Sequence, residues 1–94
     1  MAKLESCVQR DIITYLERCG WYVVKLIQTN KNGIPDLLCI KDGQCMFVEV
    51  KREKQTARPL QEYRMNELIQ HGATAFVAHS VEEVINEMKN RSYL

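Results

Sequence analysis

Apolar residues recur along the chain with two periods, and the switches between them divide it into seven elements. Leu4, Val8, Ile12 and Leu16 return every four residues, and Ile13 and Tyr15 widen that apolar side, so a first helix is expected from Leu4 to Arg18. Gly20 is placed to stop it. Trp21–Ile27 (WYVVKLI) is aromatic and branched and predicts a strand. A polar loop, Gln28–Gly33, follows. Pro35–Ile40 (PDLLCI) predicts a second strand whose first position tolerates proline, and Cys45–Lys51 (CMFVEVK) a third. Between them Asp42-Gly43 is a two-residue hairpin turn. Arg52–Arg58 is a charged loop. A second helix is expected from Pro59 to His71, with proline in its first turn and Gly72 after its end. Thr74–Ala78 predicts a fourth strand, and Ser80, three residues before Glu83, a capping box that opens a last helix running to Asn90.

The second and third strands are apolar on both sides, with Leu37, Cys39, Met46 and Val48 on one and Leu38, Ile40 and Phe47 on the other. Such a sheet needs cover above and below. The expected fold class is therefore α/β, in the order α-β-β-β-α-β-α, with helices on both faces of a mixed four-stranded sheet. The third and fourth strands flank a helix, and as parallel neighbours they would form a right-handed crossover.

The hairpin fixes more than topology. With Asp42-Gly43 as the turn, facing residues have numbers that sum to 85. Leu38 then faces Phe47, Cys39 faces Met46 and Asp36 faces Glu49. Facing residues share a side of the sheet, and Lys51, two beyond Glu49, shares it too. Two acids and a lysine thus meet at one end of an otherwise apolar hairpin. Opposed carboxylates repel unless a positive charge lies between them. A divalent cation such as Mg²⁺ or Mn²⁺ resolves the repulsion, since it takes one or two carboxylates and leaves room for water and a phosphate oxygen. The Val50 carbonyl is a further candidate ligand. Metal-activated water attacking a phosphodiester is the chemistry this set serves, with Lys51 orienting or deprotonating the water or neutralising developing charge.

Composition narrows the picture slightly. The 94 residues fit one domain, 1–94, and no apolar run is long enough to span a bilayer. The opening Met1-Ala2-Lys3-Leu4-Glu5 lacks the apolar core of a signal peptide, which makes a cytoplasmic location the expectation. The four cysteines form no C-x-x-C pair, and Cys39 and Cys45 should point to opposite faces, which argues against a disulfide between them. A net charge of +1 is weak for a nucleic-acid binder. It conceals a basic stretch, however: Lys51, Arg52, Lys54, Arg58 and Arg64.

Ile34-Pro35-Asp36, twelve intervening residues, then Glu49-Val50-Lys51 resembles the PD-(D/E)xK nuclease signature, and the element order resembles that superfamily's restriction-endonuclease-like core. More narrowly, Gly33-Ile34-Pro35-Asp36-Leu37 with Val48-Glu49-Val50-Lys51 and Gln61 is similar to the VRR-NUC family, whose compact stand-alone members occur in phages. The resemblance implies a nuclease in which Asp36 and Glu49 ligate Mg²⁺ or Mn²⁺ and Lys51 is catalytic. It adds Glu5 as a further acid at the metal and Gln61, near a helix N-terminus, as a residue that binds DNA or orients Lys51. It further implies branched-DNA cleavage of the Holliday-junction-resolvase type by a homodimer. A nickase or flap nuclease, a non-catalytic DNA-binding or interaction module and an RNA nuclease compete with that reading. Lys25, Lys31, Arg52, Lys54 and Arg58 are candidate DNA contacts, and each also reads as an ordinary solvated cation. His71 and His79, at element ends, read as surface histidines, and Trp21 as core or dimer interface.

Overall fold

The computed structural model describes residues 3–93, so Met1 and Ala2 of the N-terminal reading lie outside it. Its elements run α1 (Glu5–Arg18), β1 (Tyr22–Lys25), β2 (Leu37–Lys41), β3 (Gln44–Val50), α2 (Pro59–Gln70), β4 (Thr74–Ala78) and α3 (Val81–Asn90). They form one mixed sheet in the order β1-β2-β3-β4, antiparallel except for the parallel pair β3 and β4. The α/β class, the element order and the mixed sheet are those expected from the sequence.

Register follows the turn. Asp42 and Gly43 both take positive φ, at 50° and 78°, the requirement of a two-residue hairpin matched to strand twist. The β2–β3 partners Leu38–Phe47, Cys39–Met46 and Ile40–Cys45 all sum to 85. Leu37, Cys39, Met46 and Val48 consequently point to one face. There they meet Val8, Ile12 and Leu16 of α1 and Val84 and Met88 of α3 in the core. Trp21 joins this core, where its ring lies 5.6 Å from that of Tyr93. Cys39 is buried and the other three cysteines half-buried, all as free thiols.

Several expectations are revised. β2 begins at Leu37, so Pro35 lies ahead of the strand rather than at its first position. β1 is shorter than Trp21–Ile27: past Lys25 the strand keeps one ladder bond, from Leu26 N to Asp36 O at 2.8 Å, and then turns outward with Ile27 87% exposed. Leu4 is not part of the buried stripe but the exposed residue that precedes α1. The second sheet face is only partly covered, because α2 packs on β4 and leaves Tyr22 at 71% and Ile40 at 42% exposure. Helices do lie on both faces, but a single helix is narrower than four strands.

The Ser80 cap forms as expected on one side, with its Oγ accepting from Glu83 N at 3.1 Å. The reciprocal half differs: the Glu83 carboxylate accepts from His79 N rather than from the Ser80 amide.

Candidate active site

Asp36 lies just before β2, buried Pro35 preceding it, and is fixed twice. Its carbonyl accepts from Leu26 N, and its Oδ2 accepts from Val50 N at 2.9 Å, across the mouth of the hairpin. Glu49, one residue earlier on β3, faces the α2 side and is 2% exposed. Lys51 shares that side, and its Nζ lies 3.4 Å from Glu49 Oε2. The alternation of the pleat thus carries both acids and the lysine to one place, as the register required.

Gln61 completes the arrangement from α2. Its Nε2 donates to Glu49 Oε2 at 3.1 Å, and its Oε1 accepts from Arg58 N at 2.8 Å. Both ends of the amide are engaged inside the protein. Gln61 therefore holds Glu49 and the start of α2, and reaching DNA would require breaking those bonds. Val50 enters through its amide, the donor to Asp36.

The electrostatics follow from burial. Burial pushes the Glu49 carboxyl up to about 7, with the Asp36 charge acting the same way and Lys51 opposing them. Asp36 is raised mainly by burial, against the pull of the Val50 N–H. Glu5, at the start of α1 and exposed, is close enough for its charge to raise both acids. Lys25 is close enough to lower Asp36. Among the described residues no three His, Cys, Asp or Glu side chains form a ready cation cage, so Glu5 stands near the pair rather than in a triad with it.

One atom bears on whether a cation fits. Glu49 Oε1 is buried and has no hydrogen-bond partner among the described residues. A buried carboxylate oxygen without a partner costs several kcal/mol when charged unless a cation meets it. Hard oxygen donors from Asp36 and Glu49 on one side of the sheet suit Mg²⁺ or Mn²⁺.

Of the remaining cations, Lys31, Arg52, Lys54 and Arg58 are exposed on the loops flanking the site. Arg64 is not free to join them: its Nε donates to Asn32 O at 2.8 Å and its Nη1 to Glu67 Oε1 at 2.8 Å. That clamp of α2 onto the 26–34 loop has no sequence signature, because it joins residues 32 positions apart.

An α/β sheet that brings two acids and a lysine together beside a buried, unpartnered carboxylate oxygen has the design of a phosphodiester-cleaving nuclease. The VRR-NUC domain model matches residues 2–82, and the chain belongs to that family. Its domain is of nuclease type. A solved structure named VRR_NUC domain is 32% identical to it, with 90% of this chain and 94% of that one covered and a TM-score of 0.79. A second, named VRR_NUC domain protein, shares the fold at a TM-score of 0.76 and 22% identity, with 95% and 88% coverage. No curated protein matches the chain.

Proposed function

We propose that this domain is a metal-dependent DNA endonuclease that hydrolyses phosphodiester bonds in branched DNA as a homodimer. The observation that carries the metal dependence is Glu49 Oε1, buried and unpartnered, beside the Asp36 carboxylate and Lys51. Asp36 and Glu49 would hold Mg²⁺ or Mn²⁺, with the Val50 carbonyl and Glu5 as further oxygens. When bound, such an ion lowers the pKa of a water and polarises the phosphate.

The chain's own residues do the rest. Lys51, ion-paired to Glu49, sits where its ammonium can donate to a phosphate oxygen as negative charge develops. Gln61 keeps Glu49 turned into the site, and Val50 N keeps Asp36 there. Lys25, Lys31, Arg52, Lys54 and Arg58 supply backbone contacts on either side, the sequence-independent part of DNA binding.

The homodimer draws support from the partly open sheet face, where Tyr22 and Ile40 are exposed. Tyr22, Val24, Leu38, Ile40, Cys45 and Phe47 share it, and none of them is charged. A second copy suits such a patch, because an uncharged apolar surface can meet its own image across a two-fold axis without like-charge repulsion. Two sites so related fit a substrate with two symmetric strands. Ile40→Glu should yield a monomer by sedimentation, and an unaltered assembly state would remove this support.

The deciding experiment is cleavage of a labelled four-way junction and a matched linear duplex with Mg²⁺, Mn²⁺ or chelator, using wild type beside Lys51→Ala. Metal-dependent cutting lost in the variant is expected, with paired symmetric cuts in the junction. Junction binding without any cutting by the wild type would overturn the enzyme and leave a binding module.

A further inference from the structure

Between Lys51 and Pro59 the chain has no regular element, and it carries Arg52, Lys54 and Arg58 on its surface. An internal turn, Gln55 N to Arg52 O at 3.0 Å, shapes the segment, and Lys54 takes a positive φ of 68°. Its middle is tied to the body of the protein by His79. The Nε2 of His79 lies 2.6 Å from Gln55 O, and its Nδ1 lies 2.8 Å from Glu83 Oε1. The His79 amide donates to that same carboxylate oxygen at 2.9 Å. His79 directly follows Ala78, whose carbonyl accepts from Lys51 N at 3.0 Å, so the tie is anchored beside the catalytic strand end.

Both ring partners, a carbonyl and a carboxylate, can only accept. A neutral imidazole has one N–H and one lone pair, so it can satisfy one of them and must repel the other. An imidazolium donates to both.

We propose that His79 is a positioning residue for DNA binding: as an imidazolium it clamps Gln55 to the start of α3, holding Arg52, Lys54 and Arg58 against the nucleic-acid backbone, and when neutral it releases them. This rests on the nuclease reading for its substrate, though not for the clamp itself. The charged groups around the ring favour the cation. Glu83 touches it, and Glu82 of α3 lines the same cleft. Lys3, ahead of α1, and Asp11 of α1 also line this cleft and neutralise each other at 2.6 Å. In agreement, the Glu83 hydrogen bond and then the Gln55 carbonyl raise the His79 pKa above the ordinary histidine value, against modest burial. The clamp is therefore closed at low pH and opens as pH rises through that raised value.

The test has two arms, on wild type, His79→Gln and Glu83→Gln. In the DNA-free protein, the His79 ring titration and the amide exchange of residues 52–57, corrected for its intrinsic pH dependence, are followed by NMR. Loop protection in the wild type should fall as the ring loses its proton, and should be low and flat with pH in both variants. Protection that ignores the titration, or that survives in both variants, overturns the clamp whether or not the protein cuts DNA. In the second arm, junction affinity is measured in chelator at fixed salt. Wild-type affinity should drop about tenfold across the same titration as phosphate contacts are lost. Cleavage by the variants should show a raised KM with kcat nearly unchanged. Wild-type affinity and pH profile in both variants would overturn the proposal even with the nuclease established.

Discussion

Gln61 on α2 reaches across to β3 and donates to Glu49 Oε2 at 3.1 Å, while its carbonyl end accepts from Arg58 N. One side chain thereby fixes both the buried acid and the entry to the helix. Gln61→Ala should cost about 1–3 kcal/mol of stability, since it strips partners from buried polar groups. It should also weaken metal activation about 10- to 100-fold, the usual effect of removing a group that orients a ligand. Thermal denaturation and an Mn²⁺ titration of cleavage check the two effects separately.

Glu49 makes the metal-free protein pH-sensitive. Its folded-state pKa of about 7 exceeds the ordinary carboxylate value, so the native state binds the proton more tightly than the unfolded chain does. From this group, stability is full at low pH and declines as pH rises from the unfolded value toward about 7. Glu49→Gln removes the buried charge. At pH 8 in chelator the variant should melt above wild type, by a stability on the order of 3 kcal/mol. Mn²⁺ should raise the wild-type melting temperature and leave the variant unchanged. A variant less stable than wild type under chelation would show that the buried charge is already compensated.

Lys51 lies 3.4 Å from Glu49 and is largely shielded from solvent. Lys51→Ala should lower cleavage by about 10²–10⁴-fold with little change in junction affinity, because the group acts on charge that develops during reaction. Single-turnover rates beside equilibrium binding separate the two. A loss confined to binding would make Lys51 a phosphate anchor.

Gly33 and Gly43 both take positive φ, at 84° and 78°, but their surroundings differ. A Cβ at Gly33 would lie 2.8 Å from Leu60 Cγ and 3.2 Å from the Leu60 carbonyl, whereas one at Gly43 would meet open space. Gly43→Ala should cost about 1 kcal/mol of backbone strain. Gly33→Ala should cost more than that, and it should also lower cleavage by displacing the loop that leads into Asp36. Urea denaturation of the two variants side by side reads the difference.

Arg64 belongs to the basic stretch in sequence but not in space. Its guanidinium is committed to Asn32 O and Glu67. Substituting Arg52, Lys54 or Arg58 by alanine should reduce the slope of log affinity against log salt by about one each. Arg64→Ala should leave that slope intact and lower stability instead.

What the sequence determined by itself is what local geometry can carry. A period of two, a turn that demands positive φ at Asp42 and Gly43, and the resulting register placed Asp36, Glu49 and Lys51 on one side of one hairpin. No long-range information was needed, because the pleat alternates and a two-residue turn admits one pairing. The family motif added Gln61 but not its duty. Only the docking of α2 decided that Gln61 would bury Glu49, that Arg64 would be spent on the 26–34 loop and that part of the second sheet face would stay open. Only the approach of the Arg52–Arg58 segment to the end of β4 gave the surface residue His79 two acceptors at once. Helical periodicity says which residues share a side of a helix, but not where that helix comes to rest. The contacts of Gln61 with Glu49, His79 with Gln55 and Arg64 with Asn32 join residues 12 to 32 positions apart, and packing of the assembled layers selects them.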